Sequence, residues 1–169
     1  MTSAKAFVIV ALLLALPLRA ADVVAEPFPP AKLSNLYIQR GELNGATISV
    51  QVQGDALIYT SMQGKKMVET LTLHPSGDDW FKFIQALNAA KVYKWSPKYY
   101  YPGQGGTWVI SFDLPDRSFS SEGTNEFPKQ GDEAQGQANP ATGPSVPFQL
   151  FWQAVLTLVG KGSPAPTAK

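Results

Sequence analysis

The residues able to do chemistry in this 169-residue chain are few. There is no cysteine, which removes thiol nucleophiles, thiolate metal ligands and disulfides together. His74 is the single histidine. A zinc centre of the multi-histidine kind therefore lacks ligands. A Ser-His-Asp relay would have to pass through a residue standing just before Pro75 and Ser76, at the end of a strand-like run. No Gly-x-Ser-x-Gly elbow, phosphate loop or dinucleotide fingerprint occurs. No cofactor and no metal are expected.

Carboxylates are the remaining catalytic material. Glycosidase chemistry needs two of them about 5–10 Å apart across a cleft. Asp113 with Asp116, and Glu122 with Glu126, are the candidate pairs. Asp116 follows Pro115 in what reads as a hairpin turn, where Asp is common for turn chemistry alone. Asp78 and Asp79 are accounted for by helix capping, as described below. Two adjacent acids in Gly131-Asp132-Glu133 do not supply the six to eight oxygens of a calcium cage.

The other chemically suggestive stretch is aromatic. KWSPKYYYPGQGGTW (94–108) gathers Trp95, Tyr99, Tyr100, Tyr101 and Trp108 around Gly103, Gly105 and Gly106. Consecutive residues of an extended chain point to opposite sides, so three successive tyrosines cannot all be buried. Tyr100 and Tyr101, with Tyr99 and Trp95, are the candidate binding residues. Charge argues against a nucleic-acid partner. Fourteen basic residues face thirteen acidic ones, and no basic cluster larger than Lys65-Lys66 exists.

These residues need elements to hold them. In ATISVQVQG (46–54), Ile48, Val50 and Val52 alternate with Thr47, Ser49 and Gln51, the pattern of a strand with one dry face. NLYIQR before it and ALIYTSM after it are β-rich, and MVETLTLH (67–74) places Met67, Leu71 and Leu73 on one face. Close spacing and turn residues between these runs predict an antiparallel meander of about four strands. The period then changes. In SGDDWFKFIQALNAAK (76–91), Trp80, Phe83, Ile84 and Leu87 fall on one helical face. Ser76 is the expected N-cap, and Asp78 and Asp79 stand in the first turn, at the positive end of the helix dipole. TWVISFDLP (107–115) and RSFSSEG (117–123) predict a hairpin. PFQLFWQAVLTLVGK (147–161) predicts a last helix, with Pro147 at its start and Gly160 at its end. The order is ββββ-α-ββ-α, an α+β domain of an antiparallel sheet packed by two amphipathic helices.

Around this domain, residues 1–20 read as an export signal. Lys5 precedes the apolar run Ala6–Leu18, which is too short for a membrane span. Cleavage is expected after Ala20, or as late as Ala25. Without residues 1–20 the balance becomes 12 basic against 13 acidic, since Lys5 and Arg19 leave with the signal. Residues 21–34 read as a Pro-rich linker, 35–161 as the domain, 129–146 as a mobile insert and 162–169 as a tail. The expected location is secreted or periplasmic, with no membrane association after cleavage.

The segment from WFKFIQALNAAKVYKWSPKY through GTNEFP to FQLFWQAVL resembles a widespread, mostly uncharacterised bacterial family. Its members carry a helix, a Trp-x3-Tyr element, a Gly-Trp strand and a Gly-Ser-Asn-x-Tyr-Pro-like signature before a final aromatic helix. Trp95 and Tyr99 match the first element. Gly106 and Trp108 approximate the second, with Gln104-Gly105 where an Asp is usual. Gly123, Thr124, Asn125, Phe127 and Pro128 match the signature, with Thr for Ser and Phe for Tyr. Trp152 stands at the expected aromatic of the last helix. The likeness spans residues 79–160, with the insert as its main departure. It implies a shared α+β fold and no particular activity. From the residues themselves, GTNEFP reads as a structural turn, with Gly123 suited to a positive φ and Asn125 able to bond the backbone two residues on.

The first expectation is therefore an exported, non-enzymatic domain that binds a protein or glycan, for example as an inhibitor of an exported hydrolase. The alternatives are a hydrolase using Asp113, Asp116 or Glu122, and a structural envelope-associated protein. Two carboxylates across a deep pocket would favour the hydrolase; an exposed aromatic patch would favour the binder.

Overall fold

The computed structural model of the chain describes residues 27–29, 33–43, 45–129 and 144–162. The expected leader and the tail from residue 163 onward, with most of the insert, lie outside them. Seven strands form one sheet: β1 (Ser34–Gly41), β2 (Ala46–Gln53), β3 (Ala56–Gln63), β4 (Lys66–Leu73), β5 (Lys98–Tyr100), β6 (Thr107–Asp113) and β7 (Ser118–Thr124). Helix α1 (Gly77–Ala89) follows β4, and α2 (Val146–Leu158) follows β7. The strand order is β4-β3-β2-β1-β6-β7-β5. Every neighbouring pair is antiparallel except β5 with β7. The α+β class and the order of the predicted elements hold. The addition is β5, three residues inside the aromatic loop, which is too short to show any period.

Both helices lie on one face of the sheet. Alternation along the strands sends Leu36, Ile38, Val50, Leu57, Tyr59, Trp108, Ile110 and Phe112 into the core. From the helices come Trp80, Phe83, Ile84, Leu87, Phe148, Phe151 and Val155. Ser76 caps α1 as expected: its hydroxyl accepts from the Asp79 N–H at 3.2 Å, and the Asp79 carboxylate accepts from the Ser76 N–H at 2.8 Å. Ser145 caps α2, accepting from the Phe148 N–H. Gly160, at φ +70°, ends α2: its N–H donates to the Thr157 carbonyl and the Lys161 N–H reaches the Leu156 carbonyl. That pairing satisfies the last carbonyls of the helix.

Three expectations change. Met67 does not share a face with Leu71 and Leu73. Ser61 pairs Glu69 and Met62 pairs Met67, so Val68 is an extra residue in β4. The bulge reverses the alternation and leaves Met67 60% exposed, opposite Met62. The stretch read as a linker supplies core residues, because Phe28 and Leu33 are 3% and 0% exposed. And the insert ends earlier than 146. Ser145 and Val146 already form the cap and first turn of α2, and the Ser145 hydroxyl donates to the Pro128 carbonyl. The insert therefore leaves and rejoins the domain at one point.

Candidate functional site

The aromatic loop divides into a buried part and a displayed part. Trp95 and Tyr99 are 7% and 8% exposed and belong to the core, so they present no ring to a ligand. Trp95 ends the 3-10 turn Val92–Lys94. From there its ring meets Trp108 at 5.7 Å, Phe151 at 5.4 Å and Phe148 at 6.2 Å between centroids. The Tyr99 ring lies 5.8 Å from Trp108, and its hydroxyl accepts the Ser96 N–H at 2.8 Å. Chain alternation through β5 then turns Tyr100 outward, 61% exposed, while Tyr101 is half-buried. Of the four candidate rings, Tyr100 is the one held out to solvent.

The signature GTNEFP fastens this loop to the rest of the domain. Gly123 lies inside β7 and does not have a positive φ. Its lack of a side chain serves a different need: a Cβ there would stand 2.1 Å from the Trp108 indole nitrogen and 2.6 Å from the Glu126 carbonyl oxygen. The indole passes over Gly123 to donate to that carbonyl at 2.8 Å, in a buried hydrogen bond. Asn125 is the residue in the left-handed conformation, at φ +56°. Its side-chain amide reaches back across the sheet edge rather than two residues on. Nδ2 donates to the Tyr101 carbonyl at 3.2 Å and to the Gly103 carbonyl at 2.7 Å. Its backbone N–H donates to Gly106. Gly105 gives Asn125 room, since a Cβ there would meet its Oδ1. Thr124 accepts the Tyr101 N–H through its carbonyl. Phe127 packs 4.6 Å from Phe148, and Pro128 is buried. Each of these residues fixes backbone or core.

Beyond the loop, one side of the sheet carries no described helix. Strand registers align its side chains in rows. Thr72, Ile58, Gln51, Tyr37, Ser111 and Ser120 form one row; Thr70, Thr60, Ser49, Gln39, Val109, Glu122 and Lys98 form the next. A third runs Met62, Thr47, Gly41, Thr107, Thr124 and Tyr100. Hydroxyls and amides dominate, and the only charges in these rows, Lys98 and Glu122, pair with each other at 3.8 Å. The surface is near neutral and rich in hydrogen-bonding groups, with Tyr37 toward its middle and Tyr100 at its edge.

Asp113 and Glu122 do not converge. Asp113 and Glu122 share this open face, but Glu122 stands opposite Val109, four residues from Asp113 along β6. At 3.3 Å per residue that is about 13 Å, beyond either glycosidase spacing. Asp113 is also fully engaged. Oδ1 accepts from the Ser118 hydroxyl and Oδ2 from the Asn35 side-chain amide, both at 2.6 Å. Those bonds, Ser118 first, hold its pKa below the ordinary carboxylate value, which suits neither a general acid nor a base near neutrality. Asp116 is exposed at the hairpin tip, and Glu126 is 9% exposed beyond the end of β7. A cleft of about 260 Å³ does exist between the outer sides of α1 and α2, lined by Lys82, Phe83, Leu150, Ala154 and Leu158 among others. Its one acid is Asp79, which is committed to the helix cap. His74 lies 3.7 Å from Asp55 at the surface, with no serine completing a relay in the described contacts. Among the described residues no group of three or more His, Cys, Asp or Glu is placed to hold a metal, and no helix is long and apolar enough to cross a membrane.

Sequence reasoning missed Arg40, which the alternation of β1 sends toward α2. Its guanidinium lies 5.1 Å from the Trp152 ring centroid and 5.8 Å from that of Phe148, and it pairs with Glu42 at 3.1 Å. A strand reading IQR places a charge on the dry face, and that conflict was the available signal. Compared with known proteins, the chain matches no family model and no curated protein.

Proposed function

We propose that this domain is a non-enzymatic binding module for a protein or glycan partner outside the cytoplasm, and that it binds through the helix-free face of the sheet. The observation that carries this reading is that face itself, with its aligned hydroxyl and amide rows and Tyr100 projecting at the edge. Sheet faces of neutral hydrogen-bonding groups beside an aromatic ring suit sugar hydroxyls and extended polypeptide alike, because both are recognised by many directional bonds and a stacked ring. The separation of Asp113 from Glu122 and the engagement of both Asp113 oxygens support binding over hydrolysis. The extracytoplasmic setting rests on the leader pattern at residues 6–18, and blocking an exported hydrolase is one use such a module would serve.

The test is affinity capture from an envelope fraction with the tagged chain, run beside precipitation with insoluble polysaccharides. Tyr100→Ala and Gln39→Ala are the comparison variants, because both change the open face and neither touches the core. Loss of the captured partner in both variants, at unchanged melting temperature, is the expected result. Equal capture by wild type and both variants would rule this face out.

A further inference from the structure

Pro27–Pro29 belongs to no strand or helix, yet Phe28 is seated as a ligand is seated. Asn88 of α1 accepts the Phe28 N–H through Oδ1 at 2.8 Å and donates through Nδ2 to the Phe28 carbonyl at 2.9 Å. A side-chain amide that meets both polar groups of one residue does for that residue what a neighbouring strand would do, whatever its side chain. Selectivity comes from the ring. Phe112, Phe119 and Tyr93 meet it edge-on, with centroids at 5.0, 5.4 and 6.1 Å. The Arg117 guanidinium lies 5.8 Å from the ring centroid, and Nη2 donates to the Pro27 carbonyl at 3.2 Å. All of these groups come from residues 88–119, so the socket is built without the segment that fills it. The prolines on either side of Phe28 favour an extended backbone before docking, which lowers the entropy lost on binding.

We propose that this socket is a peptide-recognition site for an extended segment with an aromatic residue between prolines. Its resident ligand is the chain's own arm, and the arm of a second copy occupies it when the resident one is withdrawn. Tethering favours the resident arm, because it acts at an effective concentration on the order of millimolar. Exchange between copies is therefore visible where one copy has an empty socket and another a free arm.

The experiment pairs two full-length variants. Phe28→Ala empties the socket and disables the arm. Asn88→Ala with Arg117→Ala disables the socket and leaves the arm intact. Light scattering after size-exclusion chromatography should find a 1:1 complex in the mixture that neither variant forms alone. A synthetic peptide covering Glu26–Lys32 should dissolve that complex, and the same peptide with Ala for Phe28 should not. No complex between two cooperatively folded variants would overturn the proposal. If either variant fails to fold, the peptide is titrated into Phe28→Ala instead. A saturable recovery or rise of its melting transition, with the Phe28 peptide only, supports the socket; no response overturns it.

Discussion

The contact between Trp108 and Gly123 gives a sharp test of how the signature works. Gly123→Ala places a methyl 2.1 Å from the indole nitrogen and 2.6 Å from the Glu126 carbonyl. Neither neighbour can yield easily. The indole is packed against Trp95, Tyr99 and Phe148, and the carbonyl is backbone. Forcing a methyl into such a core costs about 1–3 kcal/mol. Moving the indole off its carbonyl leaves two buried polar groups unpaired, at about 1–3 kcal/mol more. The terms overlap, so the expected loss is about 2–5 kcal/mol. For a domain of this size that lowers the melting temperature by roughly 6–20 °C. Gly77→Ala is the matched control, because a Cβ there meets nothing within 4 Å and alanine is the better helix residue. Thermal denaturation followed by tryptophan fluorescence reads both stability and indole environment. A Gly123→Ala protein melting within about 2 °C of wild type would refute the steric account, since that is under 1 kcal/mol.

Further outcomes follow from the same geometry. Trp80→Ala should cost about 3–5 kcal/mol in chemical denaturation, as a truncation of a 5%-exposed core ring; a mild effect would contradict the helix face. Asn125→Ala should destabilise more than Asn125→Gly. Both lose the bonds to Tyr101 and Gly103, but alanine also strains a left-handed backbone by about 1–2 kcal/mol; equal losses would remove the conformational part of the argument. The Asp79 pKa is lowered, chiefly by its bond to the Ser76 hydroxyl and then by the Ser76 N–H. A depressed carboxylate contributes stability above its ordinary value of 3.8, and that contribution is lost as pH falls through the folded value. Asp113, also lowered, acts in the same window. Melting temperature should therefore fall on acidification below about pH 4, less steeply in Asp79→Asn; identical acid limbs would show that the capping box is not ionised.

How far the sequence could be read follows from the range of the forces involved. The α1 stripe and its capping box were legible because both lie within a turn or two of one helix. The two-residue period of β2 and β6 was legible because each has one wet face. The faces of β4 were misread at Met67, because a bulge depends on the partner strand, and nothing in MVETLTLH marks Val68 as the extra residue. Phe28 was misread because its burial depends on Asn88 and Arg117, 60 and 89 positions further along. Prolines around it pointed correctly to extended backbone and said nothing of docking. At the candidate site, alternation required that the three tyrosines not all be buried but did not separate Tyr100 from Tyr101, and the rows on the open face needed the cross-strand register. Gly123 was singled out for the wrong reason: a glycine forced by a distant indole looks the same in sequence as one forced by a turn.

The joint between β1 and β6 also fixes an order of events in synthesis. Ser34 and Asp113 meet across 79 residues of chain. At about 5–20 residues per second, roughly 4–16 s pass between the emergence of the two partners. Through that interval the β1–β4 meander can form its local hairpins, but it holds an open edge at β1 as well as β4 and an apolar face with no α2 over it. An unfinished sheet of that kind is a template for pairing with another nascent chain. Where the chain folds as it emerges, the vulnerable stage is thus the one before residue 113 appears, and a holdase that shields Tyr37–Gly41 would act on it then.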